Sequence, residues 1–204
     1  MEDALASGSE FRYLTHSSPF GEFAVVWIER ARGPEVRRIL LPTRGMKAEI
    51  RARYPDALPG SHGEVVALAR DIDAFLRGRP IEFPLSRIFL AGSSGFQQQV
   101  LRAEHAIPRG RVSTYGAIAA HIGSPGAARA VGRALATNPF PIVVPCHRAI
   151  RADGSLGGYQ GGVRMKRALL ELEGVEISPR GRVLRPRMCY CRRGSAHGEG
   201  HGTD

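Results

Sequence analysis

Ser113-Thr114-Tyr115-Gly116-Ala117-Ile118-Ala119-Ala120-His121-Ile122-Gly123, followed at once by Ser124-Pro125-Gly126 and an alanine-rich run from Ala127 to Thr137, decides the reading of this 204-residue chain. A short helix, a tight glycine-containing turn and a second helix make a helix-turn-helix pattern, which any pair of short packed helices can also produce. Pro125 suits the first turn of the second helix, where a missing N–H is tolerated. That second helix is an unusual reader of base edges. Direct readout uses long polar side chains, whereas Ala127, Ala128, Ala130, Gly132 and Ala134 offer none. Small residues instead let a backbone come close to DNA, or pack tightly inside the protein. Arg129 and Arg133, four apart, share one helical face, as solvated side chains or as phosphate contacts.

On the N-terminal side, Phe20 to Ile28 reads as a buried strand and Val36 to Leu41 as another. Between Ser61 and Arg79 the apolar residues Val65, Val66, Leu68, Ala69, Ile72, Phe75 and Leu76 recur at helical spacing, and Gly78 and Pro80 stop the pattern. Residues 1–18 are polar and read as ragged. Residues 1–92 are expected to form a small α/β domain without chemistry of its own. A second unit, 93–178, opens with Ser94 capping a helix that carries Phe96, Val100, Leu101 and Ala103 and ends at Pro108-Arg109-Gly110. Residues 179–204 form a basic tail with Arg180, Arg182, Arg185, Arg187, Arg192 and Arg193, expected to be disordered and able to track phosphates. No internal repeat is visible.

Lys and Arg number 29 against 19 Asp and Glu, a formal charge of +10. Such a balance favours a polyanionic partner, because basic groups gain by releasing counterions from phosphate; an arginine-favouring coding bias is the alternative. The hydrophobic fraction of 43% argues against global disorder. No apolar run reaches the roughly 18 residues that cross a bilayer, and the acidic N-terminus lacks a secretory h-region. A soluble, cytoplasmic protein with no membrane partner is expected. The three cysteines, Cys146, Cys189 and Cys191, are no disulfide framework. Cys189-Tyr190-Cys191 with His197 and His201 has shorter spacing than the usual Cys-x2-Cys, so no metal site is expected.

Ile142-Val143-Val144 reads as a short strand that stops at Pro145, which sets Cys146 and His147 at a constrained turn. A free thiol, with a pKa near roughly 8.5, is only slightly ionised at neutral pH. A nucleophilic cysteine therefore needs a base, and the base an orienting group. Neighbours on an extended chain point opposite ways, so a bridging water between Cys146 and His147 is as plausible as direct contact. A buried small hydrophobe beside a core histidine is the commoner fate of such a pair taken alone.

The surrounding motifs carry more. Ile107-Pro108-Arg109-Gly110, Ser113-Thr114-Tyr115-Gly116, Ala128-Arg129-Ala130-Val131-Gly132, Asn138-Pro139, Val144-Pro145-Cys146-His147-Arg148, Gly154-Ser155-Leu156-Gly157-Gly158-Tyr159 and Leu169-Leu170-Glu171-Leu172-Glu173 occur in order. In this combination the chain resembles the O6-alkylguanine-DNA alkyltransferases, the methylated-DNA–protein-cysteine methyltransferases. The resemblance is close over about Phe96 to Gly174 and loose over Phe20 to Pro80. It implies an α+β fold, with an N-terminal ribonuclease H-like α/β domain followed by a mostly helical, winged-helix-like (helix-turn-helix) alkyltransferase domain. It also implies a reaction consumed in one turn, without cofactor, by a monomer acting on double-stranded DNA that contains O6-alkylguanine, with O4-alkylthymine a further candidate.

Carried over residue by residue, the resemblance makes Cys146 the alkyl acceptor and His147 the base that takes its proton through a water. Glu173 would polarise the imidazole, Asn138 would tie the turn carrying Cys146, and Tyr115 would donate to the guanine ring nitrogen. The target atom lies inside the duplex, so the nucleotide must be flipped out. Arg129 would fill the gap, Ala127, Ala128 and Ala130 would allow close approach, and Arg133 and Thr114 would join the DNA contacts. Tyr159, Gly158 and the Gly157 loop, the Ala149 backbone and Lys166 would form the base pocket. The chain departs from the family where Leu101 replaces a common tryptophan and Ala149 a larger β-branched residue. It also has no cysteine before Cys146 for an N-terminal zinc site. A cysteine hydrolase using Cys146 and His147, and a non-enzymatic helix-turn-helix regulator, remain as rival readings.

Overall fold

The computed structural model describes residues 11–190. Phe11–Ser18 (β1), Gly21–Ile28 (β2) and Glu35–Leu40 (β3) form an antiparallel meander, followed by the helix Met46–Arg53 (α1). Leu58–Pro59 (β4) adds in parallel beside β1, giving the order β3-β2-β1-β4, and Gly63–Leu76 (α2) packs on β1. Gly95–His105 (α3), Ser113–Thr114 (β5), Tyr115–His121 (α4), Ala128–Ala136 (α5), Ala149–Ile150 (β6) and Gly162–Leu172 (α6) follow, with β5 and β6 pairing in parallel. The architecture is α+β.

β2 is apolar on both faces because both are covered. Phe23, Val25 and Trp27 point into the main core with α2, while Ala24 and Val26 point the other way, onto Leu40, Met46 and Ile50. Side-chain caps start the helices: His62 accepts from the Glu64 N–H, Ser94 from Gln97 and Thr114 from Ala117. Gly123, at φ +73°, makes the left-handed turn after α4.

Four sequence expectations need correction. Residues 11–18 are not ragged: they form β1, paired along its length with β2. The polar run hid a strand whose side chains are mostly half-buried, so its alternation is weak; residues 1–10 lie outside the described residues. Pro125 precedes α5, which starts at Ala128, and so is not a first-turn residue. Ile142-Val143-Val144 is a buried turn rather than a strand, with Ile142 at φ +75°. The tail is ordered through Tyr190, because Val183 is buried and pairs its N–H with Gly154, Met188 bridges Val112, and the Tyr190 hydroxyl donates to Ala103 O at 2.8 Å. Cys191, Arg192, Arg193, His197 and His201 lie outside the described residues.

The two halves share one core, which runs from Phe23 and Trp27 through Leu101 to Val144 and Leu169. Backbone bonds fasten the sheet to the second half: the Ile39 N–H donates to Pro139 O at 2.8 Å. Arg109 donates to Gly78 O at the end of α2 and to Leu172 O at the end of α6, at 2.9 and 2.6 Å. Leu172 is the last residue of α6, whose terminal carbonyls lack intrahelical donors, and Gly78 lies two residues past α2.

Truncation after Ser178 removes Val183, Met188 and Tyr190 from their packing. It is expected to lower the urea unfolding free energy by at least about 3 kcal/mol. An unchanged midpoint and slope would contradict the packed assignment of residues 179–190.

Candidate active site

The turn from Asn138 to Arg148 is shaped by one side chain. Asn138, fully buried, accepts from the Phe140 N–H through Oδ1 at 2.9 Å and donates through Nδ2 to Val144 O at 3.0 Å. The same Nδ2 lies 3.2 Å from Cys146 Sγ as a donor. The turn delivers Cys146 to the start of a single 3-10 turn, Cys146–Arg148, packed between α3 and α6.

Burial pushes the Cys146 thiol up to about 12, against the Asn138 hydrogen bond and the Lys166 charge, which favour the thiolate. The resting sulfur is therefore a thiol, and its chemistry needs a base. His147 is fully buried, and its Nε2 lies 2.9 Å from Glu173 Oε1. Burial lowers the imidazole's pKa, against the pull of Glu173. The ring is thus neutral at neutral pH, with Nε2–H donating to the carboxylate and Nδ1 left as an acceptor. Nδ1 is buried and has no hydrogen-bond partner among the described residues. No hydrogen bond joins Sγ directly to the imidazole among the described residues.

Glu173 caps the C-terminal end of α6 and is the centre of the site. Arg148 reaches it through Nε, at 3.2 and 3.0 Å, and through Nη2, at 2.8 Å. The Gly110 N–H reaches Oε2 at 3.3 Å. Burial alone would raise this carboxyl, but His147 and Arg148 outweigh it and hold Glu173 at about 2. Arg148 also donates to Ile107 O.

A cavity of about 280 Å³ opens onto the sulfur, lined by Tyr115, Gly132, Leu135, Ala136, Cys146, Gly158, Tyr159 and Gln160. Burial, with Glu104 and Cys146 nearby, raises the Tyr115 phenol, so it stays a proton donor. Gly157, at φ +70°, lets the loop pass close to this phenol; a Cβ there would sit 3.1 Å from the Tyr115 hydroxyl. The Tyr159 hydroxyl is buried with no hydrogen-bond partner among the described residues. Lys166, fully buried, donates to Ala149 O at 2.6 Å and to Gly158 O at 3.4 Å, tying the Gly158 wall of the cavity to the backbone at Ala149. A larger cavity of about 690 Å³ lies against Pro145 and Arg148, but no thiol or hydroxyl lines it.

Of the residues expected at the site, Cys146, Tyr115, Tyr159 and Gly158 line the cavity, Asn138 bonds the Cys146 sulfur, Lys166 bonds Gly158 and Ala149, and His147, next in the chain to Cys146, bonds Glu173. α5 supplies a wall of the cavity through Gly132, Leu135 and Ala136. Its Arg129 and Arg133 are exposed, Ala127, Ala128 and Ala130 half-buried, and none of the five lines the cavity. Thr114 spends its hydroxyl on capping α4. Sequence reasoning missed Arg148, Gln160 and Glu104. Arg148 had its position beside Cys-His as a signal. Glu104 had its register, since it falls on the apolar face of α3 with Val100 and Leu101. Gln160, which donates to Asn138 O at 2.9 Å, had none.

Residues 95–175 match the family model described as 6-O-methylguanine DNA methyltransferase, DNA binding domain. The chain belongs to the methylated-DNA–protein-cysteine methyltransferase family. It is 47% identical over 118 residues to the methylated-DNA–protein-cysteine methyltransferase of Mycobacterium leprae, covering 58% of this chain and 68% of that protein. It is 47% identical over 110 residues to that of Methanothermobacter thermautotrophicus, covering 54% of this chain and 61% of that relative. The chain thus spans about three-fifths of the length of several curated relatives it matches. Among solved structures, Mycobacterium tuberculosis OGT in complex with DNA superposes with a TM-score of 0.64 at 36% identity, over 79% of this chain and 92% of that one.

Breaking the Arg148–Glu173 pair strands a buried carboxylate. Arg148→Met is expected to cost about 3 kcal/mol or more in urea unfolding at neutral pH. Glu173 is held below its ordinary value of 4.5, so its contribution is complete above that pH and is lost as pH falls toward 2. The variant should lose stability less steeply than the wild type across that window. Parallel acid limbs would contradict the assignment.

Proposed function

We propose that this protein repairs DNA by transferring the alkyl group of O6-alkylguanine in a duplex to Cys146, irreversibly and once per molecule. The observation that carries the reading is the opening of a cavity of about 280 Å³ onto a thiol backed by a neutral imidazole whose outer nitrogen is held by Glu173. In this reading the Cys146 sulfur forms a bond to the alkyl carbon as the carbon–oxygen bond breaks. The thiol proton passes through a water to His147 Nδ1. Asn138 donates to the sulfur as negative charge develops there. Tyr115 donates a proton to the guanine ring nitrogen, so the base departs neutral and the proton count balances.

The base pocket is formed by Tyr159, Gly158, the Ala149 backbone and Lys166. The DNA face is α5, where Arg129 fills the gap left by the flipped nucleotide. Ala127, Ala128 and Ala130 permit close approach, and Arg133 and Thr114 lie beside the phosphates. A ribonuclease H-like unit over 1–92, a winged-helix-like unit over 93–178, a monomeric state and a cytoplasmic location complete the reading. Its support is the family membership, the DNA complex of the M. tuberculosis relative and the net charge of +10.

The reading predicts a stoichiometric endpoint when the protein is titrated against duplex DNA carrying O6-methylguanine: lesions repaired equal protein added. Continued turnover would contradict it and favour a hydrolase. Cys146→Ala should abolish repair while leaving DNA binding within about threefold, and that binding should weaken steeply with salt. Arg129→Ala should slow repair in duplex DNA at least about tenfold, yet barely affect transfer from free alkylguanine. Equal losses on both substrates would remove the gap-filling role.

A further inference from the structure

The cavity that receives the alkylated base in the proposed reading is lined by neutral side chains and backbone alone. A flipped nucleotide carries its charge on the phosphates, which stay on the solvent side once the base is inside. Arg151 stands at that side. It follows β6 directly and opens a tight turn, in which its N–H donates to Ser155 O at 2.9 Å and its carbonyl accepts from the Gly154 N–H at 3.0 Å. The backbone is pinned, while the side chain is exposed.

The surroundings of Gly157 fix where that side chain lies. A Cβ on Gly157 would sit 3.1 Å from the Tyr115 hydroxyl, 3.5 Å from Arg151 Cγ and 3.6 Å from Arg151 Nε. The guanidinium and the phenol that lines the cavity therefore border the same small gap, which glycine leaves open. In the proposed reading Tyr115 touches the guanine itself, so a group beside its hydroxyl meets the same nucleotide. The Arg151 side chain makes no hydrogen bond or ion pair with the described residues. The one carboxylate of its turn, Asp153, is engaged elsewhere: it accepts from the Ser155 N–H and hydroxyl at 3.0 and 2.7 Å and lies 3.7 Å from Arg182. A guanidinium is a planar fork of donors that matches the oxygens of a phosphate. Here the fork is held beside the cavity with its donors unspent.

We propose that Arg151 is a binding residue for the flipped nucleotide: at the cavity rim its guanidinium clasps a phosphate next to the lesion and so holds the base that the cavity encloses. This rests on the proposed transfer of the alkyl group to Cys146. It makes the preferred substrate a nucleotide within a strand rather than a free base or nucleoside. The contact also differs from the one proposed for Arg129. Filling a gap requires a second strand, whereas Arg151 needs only the strand that carries the lesion.

The test compares three substrates with the full chain in single turnover, reading methyl transfer to Cys146 by mass spectrometry. They are the nucleoside O6-methyldeoxyguanosine, a single-stranded trinucleotide with that nucleoside in the middle, and the same trinucleotide with uncharged methylphosphonate linkages. None has a second strand, so gap filling does not enter. The wild type should react faster with the phosphate trinucleotide than with the nucleoside, and Arg151→Ala should lower that ratio about fivefold. Methylphosphonate linkages should cost the wild type the same factor and the variant little, because each change removes one half of the same contact. An unchanged ratio in Arg151→Ala would overturn the proposal, as would an equal further loss when the variant meets the methylphosphonate. The side chain is exposed and unpartnered among the described residues, so its removal leaves the fold standing, which matching urea midpoints check. A wild type that takes no methyl group from any of the three contradicts the transfer to Cys146 itself. That result is distinct from failure of the Arg151 contact, in which Cys146 is methylated but the ratio does not move.

Discussion

Glu173 is a buried carboxylate that three segments of chain depend on. It ends α6, receives His147 and Arg148 from the 3-10 turn, and takes the Gly110 N–H from the loop after α3. A charge in such a place is tolerated only when its partners are complete, and here they are. The imidazole takes one oxygen, the guanidinium spans both, and the backbone fills the remainder. The same arrangement that makes the charge tolerable also fixes the ring of His147 and leaves its other nitrogen free. Structural need and proposed chemistry therefore share one interaction, and neither can be altered alone.

Around this hub, the N-terminal half acts as a support. Phe75 of α2 meets the His147 ring edge-on at 6.0 Å, and the Ile39 N–H on β3 holds Pro139, the neighbour of Asn138. Arg109 links the ends of α2 and α6. The sheet supplies no reacting group, but it closes the back of the turn that presents Cys146. The C-terminal segment does the same on the other side, with Tyr190 stacked on His121 at 3.8 Å and bonded to Ala103 O.

What could be read from the sequence followed how local its physics is. α2 announced itself by its apolar period and α3 by its period and the Ser94 cap, because a helix face is a local pattern. Cys146, His147, Asn138, Tyr115 and Glu173 were legible only as a set of motifs, since no short stretch says that residues 138, 147 and 173 meet. β1 was missed because its side chains are half-buried and mixed in polarity, and its place in the sheet comes from pairing with β2. The Ile142–Val144 turn was misread because apolar β-branched residues look like a strand. Their turn geometry is imposed by Asn138, whose two bonds reach the chain on either side. Residues 179–190 looked like a solvated arginine run, and their order comes from contacts with Val112, Gly154 and Ala103, distant in sequence.

The proposed transfer leaves the alkyl group on the Cys146 sulfur. The direct test is peptide mass mapping of the protein after incubation with duplex DNA containing O6-methylguanine. A methyl-sized gain confined to the peptide with Cys146, in step with loss of the lesion, is the expected result. Repaired DNA with an unmodified Cys146, or a methyl group on Cys189 instead, would contradict it.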